Sequence, residues 1–527
     1  MGEFDADVIV VGGGSAGCVV AARLSEDPSL RVLLLEAGPS DRDPLIAVPI
    51  GYARLFVNKR YDPGFATEPE PHLGGRSIKW PRGRVLGGAG SVNGLVYLRG
   101  SPRDYDRWAQ AGARGWASDD VAPFFKSLEN WRGAPSDARG TRGPIAVREP
   151  PTLSQACRAF IESTVKAGLP RFADVNAAET LEGVGPVQMN VAGRLRASSA
   201  RAALRPAMAR PNLRVVTGAR ALRLTFEAKR ATGVETTAGT FRAAREIVVS
   251  CGAIETPQLL MLSGVGPAAH LAAHGIVPVH DAPEVGRNLQ DHLIAKYIFR
   301  TKPCGTLNEL TRSPVGWAKM AWQWLAHAAG PFTISAGEAT AFFKTAPDLE
   351  EPDAQLLFVN FASFDFAKGL LPHPGVAVNY GLCRPESRGA LELRGPDPFE
   401  RPVIRANYLD DPRDLDAMLA AARFCRRIFA EAPFRDLLVE TLRPEGTDDA
   451  ALRASIRDTA GTVFHPCGTA RMGSDARAVV DPHLRVNGVS GLRIADASVF
   501  PLIPSPNIQP AALMVGARCA DFIRRGA

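Results

Sequence analysis

Gly12, Gly14 and Gly17 stand at the spacing G-x-G-x-x-G, directly after the apolar run Val8–Val11 and before a segment of helical character that extends to about Leu24. Each glycine has a separate task at such a junction. Gly12 permits a tight turn, Gly14 lets the backbone approach a pyrophosphate at the helix N-terminus where Ser15 and Ala16 begin, and Gly17 allows close helix packing. Glu36, with Ala37 beside it, follows the next apolar run, Arg31–Leu35. A carboxylate there can accept from the ribose hydroxyls of an adenosine and would repel a 2′-phosphate. This frame predicts a dinucleotide site and leaves NAD and FAD both open. A second glycine-rich stretch, Gly83 to Gly94, includes Gly87, Gly90, Ser91 and Asn93 and offers few side chains to pack. Such a loop brings backbone N–H groups close to a ligand.

These residues need rigid elements to position them. Val8–Val11, the helix to Leu24 and Arg31–Leu35 supply a βαβ opening. Residues 40–105, rich in Gly and Pro, predict an extended segment laid over a cofactor. Helical patterns are expected over 151–205, and Leu213–Thr217 and Glu246–Cys251 read as strands that resume the nucleotide-binding unit. Val376–Leu382 and Ala390–Arg394 predict strands, and Leu415–Ala430 a helix, of a second unit. The expected fold class is α/β (α+β). A Rossmann-like cofactor domain is assembled from the discontinuous segments 1–150, 206–300 and 456–527, and a substrate-binding domain, a β-sheet flanked by helices, from 151–205 and 301–455.

Composition removes several alternatives. A chain of 527 residues exceeds the usual size of one hydrophobic core, so two domains are expected. With 46% hydrophobic and 22% charged residues it has no signature of disorder. The 62 basic and 55 acidic residues give a net charge of only +7 without long runs of one sign, which argues against nucleic acid as a partner. Eight scattered cysteines without CxxC spacing read as reduced thiols and point to no metal site. No secretory signal is visible before the first strand, so a cytoplasmic location is expected. The charge-free stretch Ala497–Ala517 is long enough to span a membrane, but Pro501, Pro504, Pro506 and Pro510 would break such a helix, so no integral membrane segment is expected.

Across essentially its whole length the chain resembles the glucose–methanol–choline oxidoreductases. The Gly83–Asn93 loop is similar to the family's first signature, with Ala89 where Gly, Ser or Thr is usual. Gly252 to Gly266 fits the second signature throughout. Val285 to His292, Arg384 to Gly389 and Gly491 to Ser498 agree as well. The resemblance implies FAD rather than NAD. It places Ser15, Ala16, Glu36, Asn93, Gly94, Leu95, Val96, the backbone of Ala221, Asp496 and Ala497 along that cofactor, with Phe464 and Asn507 at its reactive end. In members whose flavin is bonded to histidine, that histidine sits in the first signature loop. Val92 occupies its place here, so the FAD is expected to be non-covalent.

Alcohol oxidation by a flavin needs a base for the hydroxyl proton, donors for the oxygen as it becomes alkoxide-like, and a hydride acceptor. Among nine histidines, His465 lies in the Gly- and Pro-flanked run Thr462 to Gly473, which is similar to the family's catalytic-histidine motif. Asn507 stands where the family has a His or an Asn. It cannot take a proton at neutral pH but can donate a hydrogen bond, so the base role falls to His465. Pro510 suits the first turn of a closing helix to about Arg524. His292 and Cys467 read as structural. The resemblance thus implies oxidation of a small, primary alcohol to an aldehyde, with oxygen or a quinone-like compound as electron acceptor. The alternative is a hydroxynitrile-lyase-like FAD protein without net redox chemistry. Leu382, Phe464 and Glu338 are the expected substrate-wall residues.

Overall fold

The computed structural model describes residues 4–527. The first apolar run forms the strand Ala6–Val11, flanked in a parallel ladder by Val32–Glu36 and then Leu213–Thr217 on one side, and by Gly239–Val249 and then Leu492–Ile494 on the other. Ala6–Val11 and Val32–Glu36 are almost wholly buried along their length, as strands covered on both faces must be, which is why their sequence is a continuous apolar run. The first half of Gly239–Val249 pairs antiparallel with Arg230–Thr236, which pairs with Ala221–Glu227, so a meander extends the sheet to seven strands.

Helix Ser15–Leu24 packs on this sheet, and helix Gln509–Arg525 packs against that helix in turn. They approach so closely that a Cβ on Gly516 would lie 2.6 Å from the Ala16 carbonyl oxygen. The charge-free stretch therefore resolves into a loop and the first half of the closing helix. No helix among the described residues is long and apolar enough to cross a membrane.

The second sheet is antiparallel and also seven-stranded, in the order Leu438–Arg443, Leu293–Thr301, Gly375–Leu382, Ala354–Val359, Ala339–Phe343, Gly183–Pro186, with Gly461–Thr462 paired to the start of Leu293–Thr301. One face is sealed by helices Gln155–Lys166 and Pro412–Ala430. Aromatic contacts join them, Phe160 against Phe358 at 5.2 Å and Phe299 against Phe429 at 4.8 Å. The opposite face looks into a cleft shared with the first sheet's loops.

The model departs from the sequence expectations at several places. Beyond Lys166 the region 151–205 is not dominated by helix: Gly183–Pro186 joins the second sheet, Val191–Ala192 pairs with Leu195–Arg196, and only a π-helical turn, Ala200–Leu204, follows. Gly168, Pro170, Gly183, Gly185 and Pro186 interrupt helical hydrogen bonding there. The strand Ala390–Glu392 ends before Arg394, and Leu293–Thr301 runs across the boundary placed at 300. The helix expected from Leu415 starts at Pro412 because the Asp411 carboxylate accepts from the Arg413 N–H at 3.0 Å.

Candidate active site

The two glycine loops lie on one another. Gly87 N–H donates to the Gly13 carbonyl at 2.7 Å, and a Cβ on Gly88 would sit 2.8 Å from Gly14 Cα. Gly12 has φ +100° and would drive a Cβ to 2.5 Å from the Ser250 carbonyl oxygen, while a Cβ on Gly17 would reach 2.0 Å from the Gly12 oxygen. These two glycines are required by packing alone. At Gly14 the nearest atom to an added Cβ is 3.6 Å away, so the turn is open there and leaves room for a ligand to approach the backbone.

Glu36 is buried, and its two carboxylate oxygens accept from Gly13 N–H at 2.8 Å and Gly38 N–H at 2.7 Å. Burial pushes its pKa up to about 7. Hydroxyl donors from a ribose would relieve that desolvation. The Ala219 N–H donates to the Glu36 carbonyl at 2.9 Å, which lays the segment leading to Ala221 alongside Glu36 and Ala37.

Gln509, at the start of the closing helix, accepts from Asn93 Nδ2 at 2.8 Å, but its own Nε2 is buried without a partner. A Cβ on Gly90 would lie 2.7 Å from both that nitrogen and Ser15 Oγ. An orphaned donor above a helix N-terminus in a glycine-lined cradle fits an acceptor-rich ligand such as FAD.

Leu95 and Val96 bury their side chains in apolar clusters, and Leu95 adopts φ 63°. They therefore offer backbone only. Gly94 carries the bend, since a Cβ there would come 2.4 Å from that of Ala336. The Ser91 hydroxyl donates to the Leu86 carbonyl at 2.6 Å. The Asp496 carboxylate is consumed by Gly252 N–H, Thr256 Oγ1 and Ser498 N–H, so at Asp496 and Ala497 too it is the main chain that remains for a cofactor. Val92 packs with Ile46, Leu55, Tyr61 and Val85, away from any reactive group.

The catalytic-histidine motif is zipped to the block that precedes the second sheet. Gln290 and Cys467 exchange backbone hydrogen bonds at 3.0 and 2.9 Å, and Thr462 pairs with Leu293. Residues 463–466 bulge between these anchors. Phe464 takes φ 68°, a conformation costing about 1–3 kcal/mol for a non-glycine residue. It is held there by its N–H donating to Thr462 Oγ1 at 2.6 Å and by Arg82 Nη2 donating to its carbonyl at 2.6 Å. Its ring leans on Phe56, 5.5 Å away. Beneath the bulge the buried Asp291 carboxylate accepts from the His465 N–H at 2.7 Å and from the hydroxyls of Thr462 and Tyr408.

This geometry brings His465 against Asn507, as the motifs imply, and also against His292. His465 Nε2 lies 3.1 Å from Asn507 Nδ2, and His465 Nδ1 lies 2.9 Å from His292 Nδ1. His292 Nε2 is 2.8 Å from the Cys383 carbonyl. A carbonyl can only accept, so His292 carries its proton on Nε2 and presents Nδ1 as an acceptor. His465 must then donate from Nδ1, which leaves the Nε2 lone pair free to accept from Asn507 and to face the cleft. Burial lowers the His292 pKa to about 4 and, with His292 and Arg82 adding to it, holds His465 well below the usual histidine range. Both rings are neutral near pH 7. Cys467 is buried with its thiol pKa raised well above the usual range, in keeping with packing.

The cleft beside His465 and Asn507 is walled by Ile294, Gln355, Leu357, Asn379, Leu382 and Val463. Alternation along Ala354–Val359 turns Gln355 and Leu357 to the cleft and buries Ala354, Leu356 and Phe358 on the helix-covered face. Of the expected wall residues, Leu382 lines this cleft. Phe464 contributes through its bulge rather than as a wall residue. Glu338 is a correction: it is buried away from the cleft, accepting from Ser154 N–H at 3.0 Å and Ser154 Oγ at 2.6 Å at the start of helix Gln155–Lys166. A carboxylate at that cap satisfies polar groups that would otherwise be buried unpaired. His292 is the residue whose part the sequence did not disclose. Its position next to Asp291 in a block with structural character concealed that the block runs antiparallel to the His465 motif.

The models of GMC oxidoreductases match residues 6–294 and 385–516. The chain belongs to this family of FAD-dependent oxidoreductases acting on CH–OH donors. It is 42% identical over 99% of its length to an oxygen-dependent choline dehydrogenase of Brucella canis, of which 96% is covered. It is 40% identical, with the same coverage, to one of Rhizobium etli. Among solved structures, a pyridoxine 4-oxidase from Mesorbium loti superposes with a TM-score of 0.89 at 31% identity, covering 99% of each chain. A formate oxidase superposes with a TM-score of 0.92 at 29% identity, covering 99% of this chain and 98% of that one.

Proposed function

We propose that this enzyme oxidises a primary alcohol to the aldehyde, with His465 as the base and Asn507 as the donor that holds the substrate oxygen. The single observation that carries this reading is the directed hydrogen-bond chain from the Cys383 carbonyl through His292 and His465 to Asn507. It leaves one unprotonated imidazole nitrogen at the cleft wall. A hydroxyl that inserts between Asn507 and Nε2 takes the place of their hydrogen bond, so that the freed lone pair can take its proton and the amide N–H can stabilise its oxygen. Proton uptake at His465 Nε2 makes an imidazolium whose Nδ1–H is already bonded to His292. FAD, when bound, supplies the hydride acceptor, and the Gly12–Gly17 turn, Glu36, the Gly87–Val96 loop and Gln509 are the residues placed to hold it. With Val92 buried among apolar side chains, nothing in that loop is placed to form a flavin bond, and the cofactor is held non-covalently. The electrons pass to oxygen, in line with the names of the choline dehydrogenase and pyridoxine oxidase relatives, or to a quinone-like acceptor.

The test is anaerobic mixing with primary alcohols. Loss of the oxidised-flavin absorbance supports the reading, whereas an unchanged spectrum together with cleavage of a hydroxynitrile would replace it with the lyase alternative.

A further inference from the structure

The cleft walls are uncharged. Ile294, Leu357, Leu382 and Val463 present aliphatic surface, and Gln355 and Asn379 present amides. Apart from the two imidazoles, His292 and His465, no aromatic ring and no carboxylate is among the described residues that line this cleft. Resting on the alcohol-oxidation reading, we propose that the substrate is an uncharged alcohol bearing an apolar body and one hydrogen-bonding group, and that quaternary-ammonium alcohols such as choline are rejected.

A cationic head group buried beside the catalytic pair would need either a carboxylate or a cage of aromatic faces to offset the loss of hydration. The Asp291 carboxylate lies behind the His465 bulge with its oxygens accepting from one N–H and two hydroxyls, and it borders a separate cavity. Glu338, just before the strand Ala339–Phe343, is engaged by Ser154. Two cationic side chains also act on the histidine pair, Arg82 on His465 and Arg384 on His292. Lys296 lies two residues along the strand from Ile294, on the same face, and is paired across the ladder with Asn379. Arg82 and Arg384 have carboxylates of their own nearby, Asp291 for the first and Asp104 with Glu351 for the second, so what the cleft wall lacks is an unengaged anion to receive a positive ligand.

The amides give the positive half of the specificity. Gln355 donates from Nε2 to Thr340 Oγ1 at 3.1 Å, and its carbonyl oxygen has no protein partner among the described residues. The Asn379 side chain makes no hydrogen bond to the protein among them either. A site with unpaired amide groups favours a substrate that can pair them, by the same logic that makes an unpaired buried group costly.

The test compares choline with 3,3-dimethylbutan-1-ol, in which carbon replaces the charged nitrogen at nearly constant shape. Both are mixed anaerobically with the FAD-loaded enzyme, and both are titrated for binding through the flavin spectrum. The expected result is a kcat/KM at least about 10²-fold higher for the neutral isostere, because an uncompensated buried charge is rejected at that level or beyond. Ile294→Glu, which places a carboxylate on the cleft wall, should shift the ratio at least about tenfold toward choline. Equal or better turnover of choline by the wild-type enzyme would overturn the substrate class and leave the alcohol-oxidation reading standing. Failure of every alcohol, charged or neutral, to reduce the flavin would instead overturn that reading.

Discussion

Replacing His292 with leucine removes the acceptor that fixes the proton on His465 Nδ1. A buried donor left without a partner costs about 1–3 kcal/mol. As a bias between the two tautomers of His465 this corresponds to about 5–150-fold. The alternative tautomer would point its Nε2–H at Asn507 Nδ2, two donors facing each other, so part of the original preference survives. The expected outcome is a 10–100-fold slower anaerobic flavin reduction by alcohol in His292→Leu, with FAD content and thermal midpoint close to wild type. His292→Asn tests the cause, because its side-chain oxygen falls near the position of Nδ1 and can accept from His465; it should recover most of the rate. A leucine variant with a full complement of FAD that is reduced at wild-type speed would refute the tautomer argument, as would an asparagine variant no better than leucine.

Asn507→Ala should slow the same step by about 10²-fold or less, the loss of one donor to a developing oxyanion, with the pH dependence of the rate retained. Glu36→Ala should weaken FAD binding by about 1.5–3 kcal/mol in a flavin-exchange titration, and unchanged affinity would remove the ribose role. Gly88→Ala, which forces a methyl group 2.8 Å from Gly14 Cα at a positive φ, should yield folded protein depleted of flavin, seen as a low ratio of flavin to protein absorbance. Stability should also report on His292. Its pKa of about 4 in the fold lies below the ordinary 6.5, so between these values the unfolded chain binds a proton that the folded chain does not. The thermal midpoint should fall as pH drops through that window, at most about 1.36 kcal/mol per pH unit from this group, and more shallowly in His292→Asn.

The parts of the molecule legible in the sequence are those where local chemistry and tertiary role coincide. Gly17 is demanded by the Gly12 carbonyl five residues before it and Gly12 by its own φ of +100°, and the buried strands Ala6–Val11 and Val32–Glu36 show as apolar runs, Val8–Val11 and Val32–Leu35, that need no alternation. Asp411 and Pro412 start their helix by capping chemistry that a pattern of apolar residues alone places too late. What stayed hidden depends on long-range register. His292 and His465 meet because Gln290–Leu293 runs antiparallel to Thr462–Cys467, which no local pattern reveals. Glu338, expected at the cleft wall, is claimed instead by Ser154 at the start of helix Gln155–Lys166, a partner 184 residues away in sequence. The cleft walls come from strands distant in sequence, so Gln355 and Asn379 carry no local signal at all.

The central claim is that the unprotonated Nε2 of His465 takes the hydroxyl proton, and the most direct measurement is the rate of anaerobic flavin reduction by an alcohol in His465→Ala, followed across pH. The expected rate is at least about 10²–10⁴-fold below wild type, with the ionisation on the acid side of the wild-type profile gone and FAD still bound. Reduction at near wild-type speed, or a profile that keeps the same ionisation, would contradict it.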